Sequence, residues 1–265
     1  MGYSPEFLAV PVPLPAVDGG ITPLDYVHFT VLHHRARRLA LATAVNIDGQ
    51  QLRVLERGDD WHFDARLPET EQAGPRIYAS NDLDRGHLVR RRDPVWGAEA
   101  EAAQANYDTF AFTNAAPQAA LFNQGPLLWL GLEDHVLEYA QVNELKLSVF
   151  TGPMLAPDDP EYRGLQIPRR FWKIAVWTTS DLSLRAAGFV LDQSDQLRMV
   201  LRGQGLADPP PLGPFLTFQV PVAAIGELTG LAFEQLAAAD VFDPARSWQR
   251  LRHASDLRPG LLPEV

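Results

Sequence analysis

Short runs of apolar residues, many alternating with polar ones, dominate the chain and predict a fold rich in strands. Segments enriched in β-branched and aromatic residues are the expected strands: 26–32, 39–47, 109–112, 145–151, 171–177, 186–191 and 215–220. Asp48-Gly49 is a tight-turn signal, and it predicts a hairpin that leads into 51–55.

Apolar positions recur with helical spacing in fewer places, and they predict helices at 99–104, from Pro126 to Asn143, and at 222–229. Gly230 is expected to close the last of these helices. Pro126 suits the first turn of its helix. Asn123 therefore lies at or just before a helix N-terminus, where free backbone N–H groups favour phosphate oxygens.

The two ends of the chain are predicted to lie on the surface. Residues 1–25 are rich in proline and read as an extended N-terminal arm, and the last thirty residues read as a polar tail. We find no internal repeat and no linker after residue 25, so 26–265 is expected to form a single domain.

Composition is that of a soluble globular protein: 265 residues, 46% hydrophobic and 21% charged. No stretch approaches the ~20 apolar residues that span a bilayer, so no membrane partner is expected. The absence of cysteine excludes disulfides and thiolate metal sites. No signal peptide is recognisable, which leaves a cytoplasmic protein or the mature form of a secreted one.

The net charge of −10 argues against general binding of polyanions, but basic residues are concentrated in one place. Arg85, Arg90, Arg91 and Arg92 face only Asp84 and Asp93 in the sequence around them. This basic island is a candidate substrate-binding surface, and a solvated arginine cluster is the alternative.

The basic island adjoins the tetrad Asp84-Arg85-Gly86-His87, which we expect on a bend between extended pieces. Histidine suits proton transfer near neutral pH, and arginine offers a planar fork of donors for phosphate. Glycine permits a tight turn or a close approach to a ligand, and Asp84 can orient either neighbour.

Several spaced motifs follow the tetrad. They are T-N-x-x-P-Q at 113–118, F-N-Q-G at 122–125, L-E-D at 132–134 and T-G-P…I-P-x-x-x-W-K between 151 and 173. In this order the chain resembles the DNA/RNA non-specific endonucleases of the ββα-metal (His-Me finger) superfamily. The resemblance implies an α+β fold with a mixed, largely antiparallel central sheet flanked by helices, and a ββα-metal motif at about 77–143.

The resemblance also implies roles for individual residues. His87 would act as general base, Asn123 would hold one Mg²⁺ (or Mn²⁺ or another divalent cation), and Arg85 would neutralise charge on the phosphate. Asp84 and Asn114 would support the site. Glu133 would support the water shell of the metal, but it lies two residues farther from Asn123 than in relatives. Ten helical residues span about 15 Å, so Glu133 acts through water or a bulge, or is only a surface acid.

Other candidate sites are weaker. His28, His33 and His34 lack a suitably spaced carboxylate and are expected to be structural, and the acidic loop Asp158, Asp159 and Glu161 lacks the spacing of a calcium loop. Either Arg57 or Arg66 is a candidate for a further phosphate-facing arginine upstream of the tetrad.

The leading hypothesis is a Mg²⁺-dependent, sequence-non-specific endonuclease that hydrolyses DNA and RNA to 5′-phosphate products. A catalytically decayed nucleic-acid or protein-binding module of the same fold is the alternative. A third hypothesis keeps the chemistry but makes the protein a toxin or defence effector that an inhibitor protein restrains. The oligomeric state is left open.

Overall fold

A large antiparallel sheet is the frame of the protein in a computed structural model, which describes residues 2–120, 140, 145–202, 216–243 and 248–251. Eight strands follow one another in the order β1-β2-β3-β6-β9-β10-β11-β12, and every neighbouring pair is antiparallel. They are β1 Ile21–Tyr26, β2 Phe29–His34, β3 Leu39–Asp48, β6 Lys146–Pro153, β9 Arg170–Thr178, β10 Leu184–Asp192, β11 Leu216–Val220 and β12 Gln249–Leu251. The predicted α+β fold with a largely antiparallel central sheet is confirmed.

Two small antiparallel pairs lie outside this sheet. β4 (Leu83–His87) pairs with β5 (Ala115–Ala119), and β7 (Glu161–Tyr162) pairs with β8 (Leu165–Gln166). The first pair brings together two segments that are far apart in the sequence, and it carries the tetrad.

The central strands are largely apolar because both faces of the sheet are covered. In β9, Phe171 and Trp177 belong to one buried cluster, whereas Trp172, Ile174 and Val176 belong to the other. Burial of this much aliphatic and aromatic surface is the main stabilisation of the sheet.

The helices are short, as expected from the few helical patterns in the sequence. They are α1 Pro75–Tyr78, α2 Glu99–Asp108, α3 Ser194–Leu201, α4 Val222–Thr229 and α5 Glu234–Ala238, with 3₁₀ turns at Glu69–Glu71 and Phe112–Asn114. The prediction that α4 ends at Gly230 is confirmed: this glycine adopts φ 71°, the left-handed conformation that closes helices. Within the described ranges no helix is both long and apolar enough to cross a membrane.

The N-terminal segment packs into the protein. Tyr3, Leu8 and Val12 are buried in the cluster beneath α4 and α5, and the Tyr3 hydroxyl donates to the carbonyl of Val12 at 2.8 Å. The sheet begins at Ile21, inside the segment expected to be an arm.

Some strand predictions were wrong. The predicted strand 26–32 is two strands, because the chain turns at His28 with φ 68°. The predicted partner 51–55 is not a strand: only Leu52 forms an isolated bridge, with Trp96. The side chain of Asp48 instead accepts from the backbone of Gln50 and from the Gln51 amide, and these bonds stabilise a turn.

The region around the tetrad also differs from the prediction. Residues 109–112 alternate like a strand but follow directly on α2 and lead into the 3₁₀ turn Phe112–Asn114, so the second strand begins at Ala115. The tetrad lies within β4 and not on a bend. The predicted helix Pro126–Asn143 lies almost entirely outside the described residues.

Candidate active site

The strand pair β4–β5 places two sequence motifs side by side. His87 is opposite Ala115, Gly86 is opposite Ala116, and Asp84 is opposite Gln118. The tetrad and the T-N-x-x-P-Q motif therefore form one structural unit.

Asn114 fixes the end of β4. Its side-chain oxygen accepts from the N–H of Val89 at 2.9 Å, and its amide donates to the carbonyls of Val89 and Thr109 at 2.9 and 3.0 Å. The backbone N–H of Leu88 also donates to the carbonyl of Asn114. Because both side-chain groups of Asn114 are bonded to backbone, this residue holds the chain next to His87 in place.

His87 lies among aromatic rings at the end of β4. Its ring is 4.8 Å from that of Trp61 and 5.3 Å from that of Phe110, which meets it edge-on at 83°. The Nε2 atom is buried and has no hydrogen-bond partner among the described residues.

Burial lowers the pKa of His87 to about 3, and three neighbouring positive charges act in the same direction. These are the guanidinium groups of Arg57, Arg91 and Arg85. The imidazole is therefore neutral near pH 7 and is in the form that accepts a proton.

Arg85 stands beside this ring. Its guanidinium carbon is 5.2 Å from the centre of the Trp61 ring, and one nitrogen is 3.8 Å from the carboxylate of Asp59. The arginine side chain is 37% exposed, so an anionic ligand can reach it from solvent. Trp61 thus contacts both predicted site residues, and no motif in the sequence marked it.

The basic island is present, and its members differ in their surroundings. Arg91 donates to the carbonyl of Leu55 and to the Asn106 side chain at 3.2 and 3.0 Å. Burial lowers the pKa of Arg91, and so do the charges of Arg57, Arg92 and Arg90. The arginines are therefore close enough to repel one another, and the site carries a local positive potential in an acidic protein.

The two upstream candidates are separated by the structure. Arg57 is exposed and acts electrostatically on His87. Arg66 is bound elsewhere: it contacts the carboxylate of Asp64 at 2.6 Å, donates to the carbonyl of Asp25 at 2.9 Å and lies 4.7 Å from the Tyr26 ring centre.

Other buried polar groups near the tetrad have no hydrogen-bond partner among the described residues. They are the amide nitrogen and oxygen of Gln118, opposite Asp84, and the hydroxyl of Tyr78, whose pKa is raised by burial. In the sequence, Gln118 is only the last residue of the T-N-x-x-P-Q motif. Buried polar atoms ordinarily have a partner, so these atoms are expected to bond groups outside the described residues.

The metal-binding prediction falls outside the described part of the chain. Neither Asn123 nor Glu133 is among the described residues. Within the described ranges, no group of three acidic, histidine or cysteine side chains could hold a metal ion. Nε2 of His87, which has no hydrogen-bond partner among the described residues, is compatible with contact to a water molecule in the shell of a hydrated cation.

The remaining candidates have structural partners. His28 contacts the Pro94 carbonyl at 2.8 Å and Glu101 at 3.1 Å, and His33 contacts the Glu71 carbonyl at 2.8 Å. The backbone N–H of Arg37 donates to His34 at 3.4 Å. In the acidic loop, Asp159 lies 2.8 Å from Arg37 and 3.7 Å from Arg169, so these two arginines compensate its charge.

The chain is similar to known proteins in sequence and in fold. Residues 14–240 match the model of the DNA/RNA non-specific endonuclease family. The uncharacterized protein y4fB of Sinorhizobium fredii is 39% identical over 281 residues, which cover 97% of this chain and 42% of that protein. A nuclease of Syncephalastrum racemosum is 28% identical over 233 residues, which cover 79% of this chain and 66% of that protein. The chain thus spans less than two thirds of the length of each relative.

A solved structure shares the fold. The crystal structure of the EndoG/EndoGI complex, which concerns the mechanism of EndoG inhibition, matches with a TM-score of 0.62 and 19% identity. The match covers 84% of this chain and 88% of that chain.

Proposed function

The chain belongs to the DNA/RNA non-specific endonuclease family, and from this premise we propose that it hydrolyses internal phosphodiester bonds of DNA and RNA. The observation that carries the proposal is that Trp61 contacts both a neutral imidazole with a buried Nε2, His87, and an accessible guanidinium, Arg85, at the end of β4. This arrangement supplies a proton acceptor and an anion-binding group in one place.

The proposed reaction begins with binding of the scissile phosphate at Arg85 and Arg57. His87 accepts a proton from a water molecule as the water oxygen attacks phosphorus. The bond from phosphorus to the 3′ oxygen breaks, the leaving oxygen takes a proton from solvent, and the product strand carries a 5′-phosphate. Because the arginines contact the backbone and not base edges, cleavage is insensitive to sequence.

Mg²⁺ dependence is part of the proposal. Asn123 would hold the ion through its side-chain oxygen, and Glu133 would contact its water shell, as the resemblance implies; Mn²⁺ or another divalent cation could replace it. When bound, such an ion stabilises the charge that develops on the leaving oxygen.

The binding of substrate also prepares His87 for its role. The positive charges of three arginines help to keep its pKa low in the free protein. A phosphate bound among these charges compensates them and so removes their part of the lowering of the pKa, whereas the larger part, due to burial, remains.

The test is digestion of plasmid DNA and of a long RNA with Mg²⁺, with other divalent cations and with EDTA. We expect both polymers to be cut in Mg²⁺ and protected in EDTA. His87→Ala should slow cleavage by about 10²- to 10⁴-fold. His34→Ala, at a half-buried histidine in β2, is the matched control and should cleave at the wild-type rate.

Wild-type protein that leaves DNA and RNA intact with every divalent cation, yet binds them, would overturn the proposal in favour of a binding module. Cleavage that His87→Ala does not slow would assign the chemistry to another group.

We also propose that an inhibitor protein can bind this chain at the basic island. The support is the shared fold with EndoG, which was crystallised as the EndoG/EndoGI complex. An acidic partner that co-purifies with the wild-type protein and is lost with Arg90→Glu would support the proposal; retention of the partner by that variant would contradict the location.

A further inference from the structure

A stacked pair of rings, one of them exposed, lies near the candidate active site. Tyr107, in the last turn of α2, is 44% exposed. Its ring is stacked on that of His62, with centres 4.2 Å apart and planes only 6° from parallel. His62 thus covers one face of the Tyr107 ring, and the exposed part of the ring is open to solvent.

The ring pair is held rigidly from the His62 side. The imidazole Nδ1 contacts the carbonyl of Asp60 at 2.8 Å. The backbone of His62 bonds in both directions with the segment that follows α2: its N–H donates to the carbonyl of Phe110, and its carbonyl accepts from Phe112. A planar surface that is fixed before a ligand arrives binds it with a smaller loss of conformational freedom.

The neighbours of this pair on both sides belong to the candidate site. Trp61, adjacent to His62 in the chain, contacts the His87 ring. Asn106, adjacent to Tyr107, accepts a hydrogen bond from Arg91 of the basic island. The exposed ring is therefore one residue along the chain from a hydrogen-bond partner of Arg91, and its support His62 is one residue from a contact of His87.

Resting on the proposed nuclease function, we infer that Tyr107 stacks an unpaired base of the substrate strand, with His62 as its support. Exposed aromatic surface next to positive charge is the chemistry that binds single-stranded nucleic acid, since every base has a flat π face and every nucleotide a phosphate. Stacking requires a free base face, so the site favours single-stranded DNA or RNA over a duplex. It does not distinguish among the four bases.

The test is binding, measured by fluorescence anisotropy in EDTA so that cleavage plays no part. The probes are a labelled single-stranded oligonucleotide and an abasic strand of the same length and charge. Tyr107→Ala should weaken binding of the first probe about tenfold or more and leave the abasic strand unchanged. Tyr107→Phe, which keeps the ring, should bind as the wild type does.

Trp248→Ala is the matched control, because Trp248 is a similarly exposed aromatic residue (42%) next to β12, at the far end of the sheet. It should bind both probes normally. Equal binding of the base-containing strand by Tyr107→Ala and wild type would overturn the inference, as would equal loss for both probes. Because the assay needs no catalysis, its result is separate from failure of the nuclease proposal, which only the digestion tests.

Discussion

The carboxamide of Gln118 lies so close to the backbone of Gly86 that an added Cβ on the glycine would be 2.1 Å from the Gln118 Cδ. Both residues are buried at the centre of the β4–β5 pair. The glycine of the tetrad is thus required by packing across the strand pair and not by a turn. The functional consequence is that the packing at Gly86 fixes the position of the next residue in the strand, His87.

Gly86→Ala should therefore distort β4. The new methyl group overlaps the Gln118 side chain, and relief of the overlap moves either that side chain or the strand, at a cost of about 1–3 kcal/mol in the free energy of unfolding. Because His87 moves with the strand, cleavage should fall by more than tenfold. Urea denaturation and plasmid digestion measure the two effects.

Gly19→Ala is the control for this substitution, since a Cβ at Gly19 meets no atom within 4 Å. It should change neither stability nor cleavage. A Gly86→Ala protein that is as stable and active as the wild type would mean that Gln118 can move aside freely.

Much of the fold follows from local pattern. The strands β3, β6, β9, β10 and β11 coincide closely with apolar runs, because burial on both faces leaves a clear signal in the sequence. The prediction failed where tertiary contacts set the local structure, as at 109–112. That segment has the alternation of a strand, but Asn114 and His62 bond its backbone into a turn beside the site.

The candidate site was predictable in part for a similar reason. The tetrad and the T-N-x-x-P-Q motif have informative residue types at close spacing, so His87 and Arg85 stood out. Trp61 and Arg57 lie near His87 in the structure but more than twenty residues before it in the sequence, and no local sequence pattern indicates this proximity. Gln118 was inconspicuous because its role depends on what faces it across the strand pair.

Arg57→Ala and Arg66→Ala should separate the two upstream arginines. Arg57 contributes to the positive potential at His87, so its loss should lower kcat/KM by roughly tenfold or more with little change in stability. Arg66 bonds the buried carboxylate of Asp64, so its loss should cost about 1–3 kcal/mol of stability and leave kcat/KM of the folded protein near the wild-type value. Steady-state kinetics and urea denaturation of both variants measure the contrast, and the reverse pattern would exchange their roles.

Asp59→Asn should strengthen substrate binding. The Asp59 carboxylate lies 3.8 Å from Arg85 and is 75% exposed, so it competes with a phosphate for the same guanidinium. Its removal should lower KM about twofold at low ionic strength, and added salt should erase the difference because exposed charges are screened. Asp18→Asn, at an exposed position in the N-terminal segment, removes the same charge away from the site and should leave KM unchanged. A higher KM for Asp59→Asn would mean that Asp59 holds Arg85 in its binding position.

His87 should make the protein less stable in mild acid. Burial lowers its pKa to about 3 in the folded protein, whereas the ordinary value of 6.5 applies when the chain unfolds. Between these two values the unfolded chain binds the additional proton, so the free energy of unfolding rises with pH across this window and falls on acidification. From about pH 6.5 to about pH 5 the loss attributable to this residue is about 2 kcal/mol.

His87→Gln should remove that part of the pH dependence, although the buried His33, whose pKa is also lowered, contributes equally to both proteins. Urea denaturation of the two proteins at several pH values tests the expectation, and parallel curves would show that His87 is solvated enough to titrate normally.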